Sequence, residues 1–408
     1  MRNPVHIIVV GAGPVGCLSA YILGSEGFDI TVVESLDQPA QDLRASTFHP
    51  PTLDLLELWN MTVELIDQGL ITPTFQFRDR QEGLVGEFDF NLLKDDTQFP
   101  YRLQCEQFKL TGVLYKRLQA MPNVRLLMGS NALSVEQTPD SVTVTVGTPA
   151  GESTIQGDYM IGCDGASSVI RKEANIEFEG FTYPEQFLVV STPDNLREII
   201  PDLGYVAYIA DPKEWCTVIK VLDFWRILYP TIPGMTEEDI LDDGHIQNMV
   251  QGFVPRSEQY EVVHKTLYRI HQRVANRYRK GRIFLAGDSA HINSPLGGMG
   301  MNGGLHDGIS LAVKLINVHK NGADPDFLDG YERERRPIAI EHVQKSTIHN
   351  KSVMEESDAD KRRAYNDHMR ETTEDPVKSR QFMLETSMIN MVRNTGLLEA
   401  AKKCVARN

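Results

Sequence analysis

Cysteine is scarce in this 408-residue chain, and its five copies (Cys17, Cys105, Cys163, Cys216, Cys404) form no Cys-x-x-Cys pair and no metal-ligand spacing. That pattern excludes a disulfide scaffold, a zinc site and a dithiol redox centre, and it fits buried thiols in a reducing compartment. No run of about 18 apolar residues occurs, so no membrane-spanning helix is expected. Positive charge is in deficit: Lys and Arg number 41 against 56 Asp and Glu, for a net charge of −15. Such a balance argues against a nucleic-acid or anionic-membrane surface. A signal peptide is not seen either, because PVHIIVVGAG is a short apolar run broken at once by glycine. A cytoplasmic location is the expectation. Internal repeats and low-complexity tracts are missing too.

What remains is the composition of a globular protein, 41% hydrophobic and 24% charged, in a chain long enough for two or three lobes. VHIIVV (5–10) is a continuous β-branched run, the signature of a strand buried on both faces. GAGPVG follows, then a helical stretch, CLSAYILGSEG, then a second buried run, DITVVES, that ends in an acid. Strand, glycine turn, helix, strand and acid make a dinucleotide-binding βαβ unit. Gly11 permits the tight turn, Gly13 lets a pyrophosphate approach the backbone and Gly16 permits close helix–strand packing. Pro14 and Val15 open the helix whose N-terminus faces the phosphates. Glu34, at the end of the second strand, is placed to accept hydrogen bonds from the adenosine ribose. This unit alone does not distinguish FAD from NAD(P).

Further along, residues 125–165 alternate apolar and polar positions between turn signals, which predicts antiparallel strands closing on YMIGC. Residues 178–268 are strand-rich with aromatics and prolines and read as a separate sheet. After Asp307 the chain is mainly helical and charged, and MEESDADKRRAYNDHMRETTEDP is either an exposed helix or an excursion from the fold. The most glycine-rich stretch is LAGDSAHINSPLGGMGMNGG (285–304), with six glycines between the apolar run GRIFLA and the helix-like LHDGISLAVKL. Glycine tolerates φ > 0 and close backbone approach at an entropic cost, so such a concentration marks a bound molecule.

In this order and at these separations, GAGPVG, CDGASSVIRK and GRIFLAGDSAHINSPLGGMGMNGG resemble the motifs of the single-component flavoprotein aromatic hydroxylases. These are the p-hydroxybenzoate hydroxylase-like FAD-dependent monooxygenases, and the resemblance covers roughly residues 5 to 340. It implies an α/β protein with an α+β substrate lobe: a Rossmann-like FAD-binding domain, a mixed sheet covering the flavin and C-terminal helices. The implied lobes are a noncontiguous FAD domain (1–75, 100–177 and 269–335), a substrate sheet (76–99 and 178–268) and a C-terminal helical segment (336–408).

The same resemblance assigns residues. Asp288, after Gly287, takes the ribityl-binding role, for which a carboxylate suits the donor hydroxyls. Pro295, Gly297, Gly298, Gly300, Met301 and Asn302 run beside the isoalloxazine, where Cβ atoms would hold the ring off. A helix starting near Asn302 aims its N-terminus at the flavin pyrimidine edge. His291 is either a general base or, more in keeping with the family, a support of the loop. Asp164, Gly165, Ser167, Ser168 and Arg171 match an element serving FAD and the nicotinamide cofactor, though Asp164 also suits a helix cap. Arg44 and Gln107 match residues holding FAD phosphate and ribityl groups, with Gln104 competing for the second role.

The implied reaction uses FAD, NADH or NADPH, and O2. It passes through a flavin C4a-hydroperoxide to an activated, phenol-like aromatic or heteroaromatic ring, with water kept out. Tyr205, Tyr208, Trp215, Trp225, Arg226 and Tyr229, with Pro295, are the candidates to line the substrate pocket, and alternation along strands turns about half of such residues away. No catalytic base is named and no metal is expected; a homodimer is one possible assembly. Disulfide-reductase-like flavoproteins need a cysteine pair and a second dinucleotide domain. Halogenases of this fold carry a Trp-x-Trp-x-Ile-Pro motif, which Trp59, Trp215 and Trp225 do not form, and a thioredoxin-like C-terminal domain would need more than the residues after Pro337. The remaining alternatives are another FAD oxidoreductase of this fold and a non-catalytic FAD-binding regulator.

Overall fold

A computed structural model describes residues 4–41, 43 and 45–406 of the chain. Its centre is a six-stranded sheet in the order Arg279–Lys280, Ile283–Leu285, Tyr159–Gly162, His6–Val10, Asp29–Val33, Val124–Leu127, parallel except for the Arg279–Lys280 edge strand. Ile7, Ile8 and Val9 have no exposed surface, as expected of a strand covered on both faces. Helices Pro14–Ser25 and Met299–Lys320 pack on this sheet. An antiparallel meander, Asn131–Gln137, Val142–Thr148 and Gly151–Gly157, leads back into the Tyr159–Gly162 strand.

A second, eight-stranded sheet is built mainly from antiparallel strands: His291–Ile292, His264–Ala275, Phe178–Thr192, Trp225–Pro230, Cys216–Lys220, Val206–Ala210, Thr74–Asp79 and Gly83–Asp89. The boundaries drawn from sequence at 75/76 and 268/269 therefore fall inside strands, because Thr74–Asp79 and His264–Ala275 pair continuously across them. The 178–268 segment is not wholly strand: Glu237–Ile240 and Asp243–Phe253 are helices, and Ile246 and Val250 pack on the outer face of this sheet.

The charged stretch after residue 354 is a helix, Ala359–Glu374, started by the Asp358 side chain, which accepts from the Asp360 and Lys361 backbone N–H groups. A side-chain cap of this kind contributes about 1 kcal/mol. One face of the helix is anchored: Met369 is buried, and Asn366 Nδ2 donates to Asp79 at 3.3 Å. The C-terminal helices do not form a lobe of their own. Met354, Met369, Met383 and Ile389 join the core on the inner face of the large sheet, whereas Leu397, Ala401 and Cys404 join the core of the parallel sheet. Among the described residues, no helix is long and apolar enough to cross a membrane. The five cysteines are free thiols, and burial raises the pKa of Cys17 to about 12.

Candidate active site

The register of the parallel sheet pairs Val10 with Gly162 and Gly162 with Leu285. The turns that follow these three residues therefore begin side by side at the carboxyl edge, where ligands of open α/β sheets bind. Gly11 adopts φ +104°, and a Cβ there would lie 2.3 Å from the Cys163 carbonyl oxygen. A Cβ on Gly16 would lie 1.9 Å from the Gly11 carbonyl oxygen. Chain packing alone demands both glycines. Gly13 is different, since a Cβ there would meet nothing within 4 Å. Bare backbone facing open space sits at the start of helix Pro14–Ser25, which has no side-chain cap and no acid in its first turn. Its free N–H groups and positive dipole end suit a phosphate. Glu34 is fixed beside this turn, accepting from Ala12 N at 2.6 Å and Leu36 N at 3.0 Å.

At the third turn Asp288 is exposed while its neighbours Gly287 and Ser289 are buried, so the carboxylate projects out of the turn. Downstream, helix Met299–Lys320 starts three residues before Asn302, because Gly298 takes the left-handed φ of +67° that ends the loop there. This second helix N-terminus also lacks a side-chain cap and an acid in its first turn. Pro295 is exposed, and Gly297 and Met301 are buried. The residues present fit FAD: two uncapped helix N-termini, a backbone position open to a ligand, and Glu34 and Asp288 at the ends of two of the sheet's parallel strands.

Several assigned residues are held in other ways. Cβ atoms on Gly297, Gly298 and Gly300 would meet Asn350, Thr47 and Asn293 at about 3.1 Å, so chain packing, and not a flavin ring alone, accounts for these glycines. A Cβ on Gly304 would lie 2.9 Å from Val15 Cγ2, which lets the two uncapped helices close on one another. Asn302 does not offer its amide to a ligand. Its Oδ1 accepts from His49 N at 3.0 Å, and its Nδ2 donates to the Thr47 and Gly298 carbonyls. Asp164 supports the start of helix Val169–Glu173, whose N-cap is Ser168, accepting from Ser168 Oγ at 2.5 Å and Ile170 N at 3.0 Å, while Gly165 turns the chain at φ +77°. Burial raises the Asp164 carboxyl above its ordinary range. Arg171 is buried and donates to the Ser289 and Ala166 carbonyls at 3.0 and 2.8 Å, so it braces two of the turns and does not reach out of them. Arg44 lies outside the described residues. Gln107 opens helix Gln107–Gln119 and is half-buried. Gln104 is fully buried, accepts from Thr47 Oγ1 at 2.8 Å and leaves its Nε2 without a partner.

Beneath the glycine loop stands a buried ionic cluster that no sequence motif marks. His291 Nε2 lies 3.0 Å from Asp307 Oδ2, and Arg335 Nε donates to Asp307 Oδ1 at 2.7 Å, all three residues buried. Burial would raise the Asp307 carboxyl, but Arg335 and His291 hold it below its ordinary range. His291 is thus held beneath the loop by Asp307, a geometry that fits a support of the loop. Gln272, also buried, joins the loop to the C-terminal helices: its Oε1 accepts from Ser294 N at 2.7 Å and its Nε2 donates to Thr347 Oγ1 at 2.7 Å. No local signal in the sequence marks Asp307, Arg335 or Gln272 as partners of that loop.

On the large sheet, alternation decides which substrate candidates face the flavin domain. Tyr208 and Trp215 lie on the inner face with Phe75 and Phe187. Arg226 shares that face, its Nη1 donating to Ser46 Oγ at 3.3 Å across the seam between the sheets. Tyr205, Trp225 and Tyr229 point the other way. Tyr205 and Trp225 pack together, and the Tyr229 hydroxyl donates to the Met249 carbonyl under the outer helix. Tyr205 is therefore corrected from pocket-lining residue to outer-face residue.

Comparison with known proteins agrees with this geometry. The family described as FAD binding domain matches residues 4–346. Para-nitrophenol 4-monooxygenase of Pseudomonas sp. (strain WBC-3) is 30% identical over 388 residues, covering 94% of this chain and 96% of its own. The 6-hydroxy-3-succinoylpyridine 3-monooxygenase of Pseudomonas putida (strain DSM 28022 / S16) is 33% identical over 347 residues, covering 84% and 87%. The crystal structure of p-nitrophenol 4-monooxygenase from Pseudomonas putida DLL-E4 superposes with a TM-score of 0.90 at 29% identity, covering 96% of this chain and 99% of that one. This chain belongs to that FAD-binding family and is an FAD-dependent monooxygenase that hydroxylates aromatic rings.

Proposed function

We propose that the chain hydroxylates a phenol-like ring in the seam between the glycine loop and the inner face of the large sheet. The observation that carries this reading is the placement of the second uncapped helix start, at Gly298, against Thr47, next to the Ser46 hydroxyl that Arg226 of the large sheet reaches at 3.3 Å. Bound FAD, reduced by NADH or NADPH, supplies the activation of O2 and the transfer of one oxygen atom to the ring.

The residues of the chain do the rest. The N–H groups opening helix Pro14–Ser25 hold the pyrophosphate, Glu34 the adenosine ribose and Asp288 the ribityl hydroxyls. Gln107 and Arg44 are assigned to the same cofactor. The N-terminus of helix Met299–Lys320 offers N–H groups and a partial positive charge to the pyrimidine edge, where reduction places negative charge. Arg171 and Asp164 act on the cofactor indirectly, through the turns they hold. The apolar inner face around Phe75 and Phe187 excludes water, which protects the oxygen-activating step. The names of the two Pseudomonas relatives describe hydroxylated or nitro-bearing rings, and a small hydroxyaromatic is the substrate class proposed here.

The test is a turnover screen of 4-nitrophenol, hydroxybenzoates, hydroxypyridines and hydroxyphenyl acids with FAD and either nicotinamide. Ring-stimulated NAD(P)H oxidation that yields a hydroxylated product supports the reading. Oxidation unaffected by every ring, with peroxide alone as product, contradicts it.

A further inference from the structure

Arg102 lies on the short strand Arg102–Gln104, at the seam between the two main sheets, and is 2% exposed. Among the described residues no carboxylate pairs with it. The hydrogen bond its guanidinium makes runs from Nη1 to the Tyr208 hydroxyl at 3.3 Å, and its Nε is buried without a partner. The rest of its surroundings are aromatic, with the Phe75 and Phe90 rings 4.5 and 5.6 Å from the guanidinium carbon. Contact with aromatic faces offsets part of the loss of hydration. Burying an uncompensated ion costs more than such contacts return, so the offset is incomplete.

Polar atoms around Arg102 are short of partners as well. Thr72 is its cross-strand neighbour, and Thr72 Oγ1 is buried with no hydrogen bond. Gln104, two residues along on the same face, leaves Nε2 bare next to Thr47. His49 adds no second positive charge there: burial, and then the Arg102 charge, hold its imidazole well below the usual range. A buried, planar, five-donor cation beside unpartnered donors, with aromatic rings around it and Tyr208 at its tip, has the chemistry to bind a planar acceptor.

We propose that Arg102 is the specificity residue for substrate, seating a planar two-oxygen acceptor group, a carboxylate or nitro group, carried by the hydroxyaromatic ring. This rests on the hydroxylase reading and deepens it by naming which rings are taken. The planar fork of a guanidinium matches both oxygens of such a group at once, which an ammonium or an amide does not.

The assignment is tested by equilibrium binding to the oxidised FAD-loaded protein, read from the perturbation of the flavin absorbance without turnover. The probes are 4-hydroxybenzoate and 4-nitrophenol, each compared with neutral 4-hydroxybenzamide. In the wild type at least one of the two acceptors is expected to bind about tenfold tighter than the amide, the weight of one charge-assisted hydrogen bond. Arg102→Met is expected to remove that advantage, and Arg102→Lys to retain part of it. Equal binding of all three probes by the wild type overturns the assignment whether or not the variants fold, as does an advantage that persists in Arg102→Met. A failure here alongside intact hydroxylation of some ring removes only the Arg102 role. The absence of hydroxylated product from any ring removes the reading beneath it.

Discussion

Arg335 reaches Asp307 at 2.7 Å from a helix that follows the glycine loop's own helix, and both side chains are buried. Asp307 also holds His291 on its other oxygen, so one carboxylate ties the strand before the loop to the helix after it. Breaking a buried pair leaves an uncompensated charge, at about 3–5 kcal/mol. Arg335→Met is therefore expected to lower the denaturant midpoint of the FAD-loaded protein sharply, and an unchanged midpoint would show that the pair is not structural.

His306 gives the protein an acid sensitivity. Burial, followed by the Arg335 charge, lowers its pKa from 6.5 to about 3, and its Nε2 shares a hydrogen bond of 2.8 Å with Thr52 Oγ1. The folded state keeps His306 neutral in a range where the unfolded chain takes up a proton. Stability is thus full above about pH 6.5 and falls as the pH drops, by about 2 kcal/mol between pH 6.5 and 5. Urea denaturation at both pH values checks this: His306→Asn should reduce the difference, and a variant as acid-sensitive as the wild type would contradict it.

The glycines of the first turn have separable roles. Gly11→Ala places a Cβ against the Cys163 carbonyl at an unfavourable φ and should impair folding itself. Gly13→Ala meets open space, so the cofactor-free protein should melt like the wild type while FAD affinity falls about tenfold. A Gly13→Ala protein that binds FAD normally would place the phosphates elsewhere.

Asp288 projects from a turn whose other members are buried. Asp288→Ala should weaken FAD retention by about tenfold, as expected for one lost charge-assisted hydrogen bond. Purified variant with the full yellow occupancy of the wild type would count against the ribityl role.

Strand parity separates Tyr208 from Tyr205. Tyr208→Phe removes the hydroxyl that meets Arg102 and should change the substrate profile, whereas Tyr205→Phe, on the outer face, should leave it as it was. The same product screen, run on both variants, decides the matter; identical changes in both would undo the facing assigned to the sheet.

The parts of the fold legible in the sequence are the local ones. Residues 5–34 announce strand, turn, helix and strand because burial of VHIIVV and the spacing of Gly11, Gly13 and Gly16 are set within one short segment. Alternation also foretold that half of the aromatic candidates would turn away, but parity depends on register, and register depends on distant strands such as Thr74–Asp79, which pairs with Val206–Ala210. Asp307 and Arg335 escaped notice because their pairing forms only when two helices pack. Arg102 reads in sequence as an ordinary charged residue, and only its burial without a carboxylate makes it a candidate. Where glycines serve ligand and packing together, as at Gly298 and Gly304, composition marks the spot without dividing the two causes.

The most direct measurement is the fate of isotopic oxygen. The FAD-loaded protein, given NAD(P)H, a ring it accepts and 18O2, should release a product carrying one labelled oxygen on the aromatic ring. Product whose new oxygen comes from water, or nicotinamide consumed with every ring left untouched, would contradict aromatic hydroxylation by this chain.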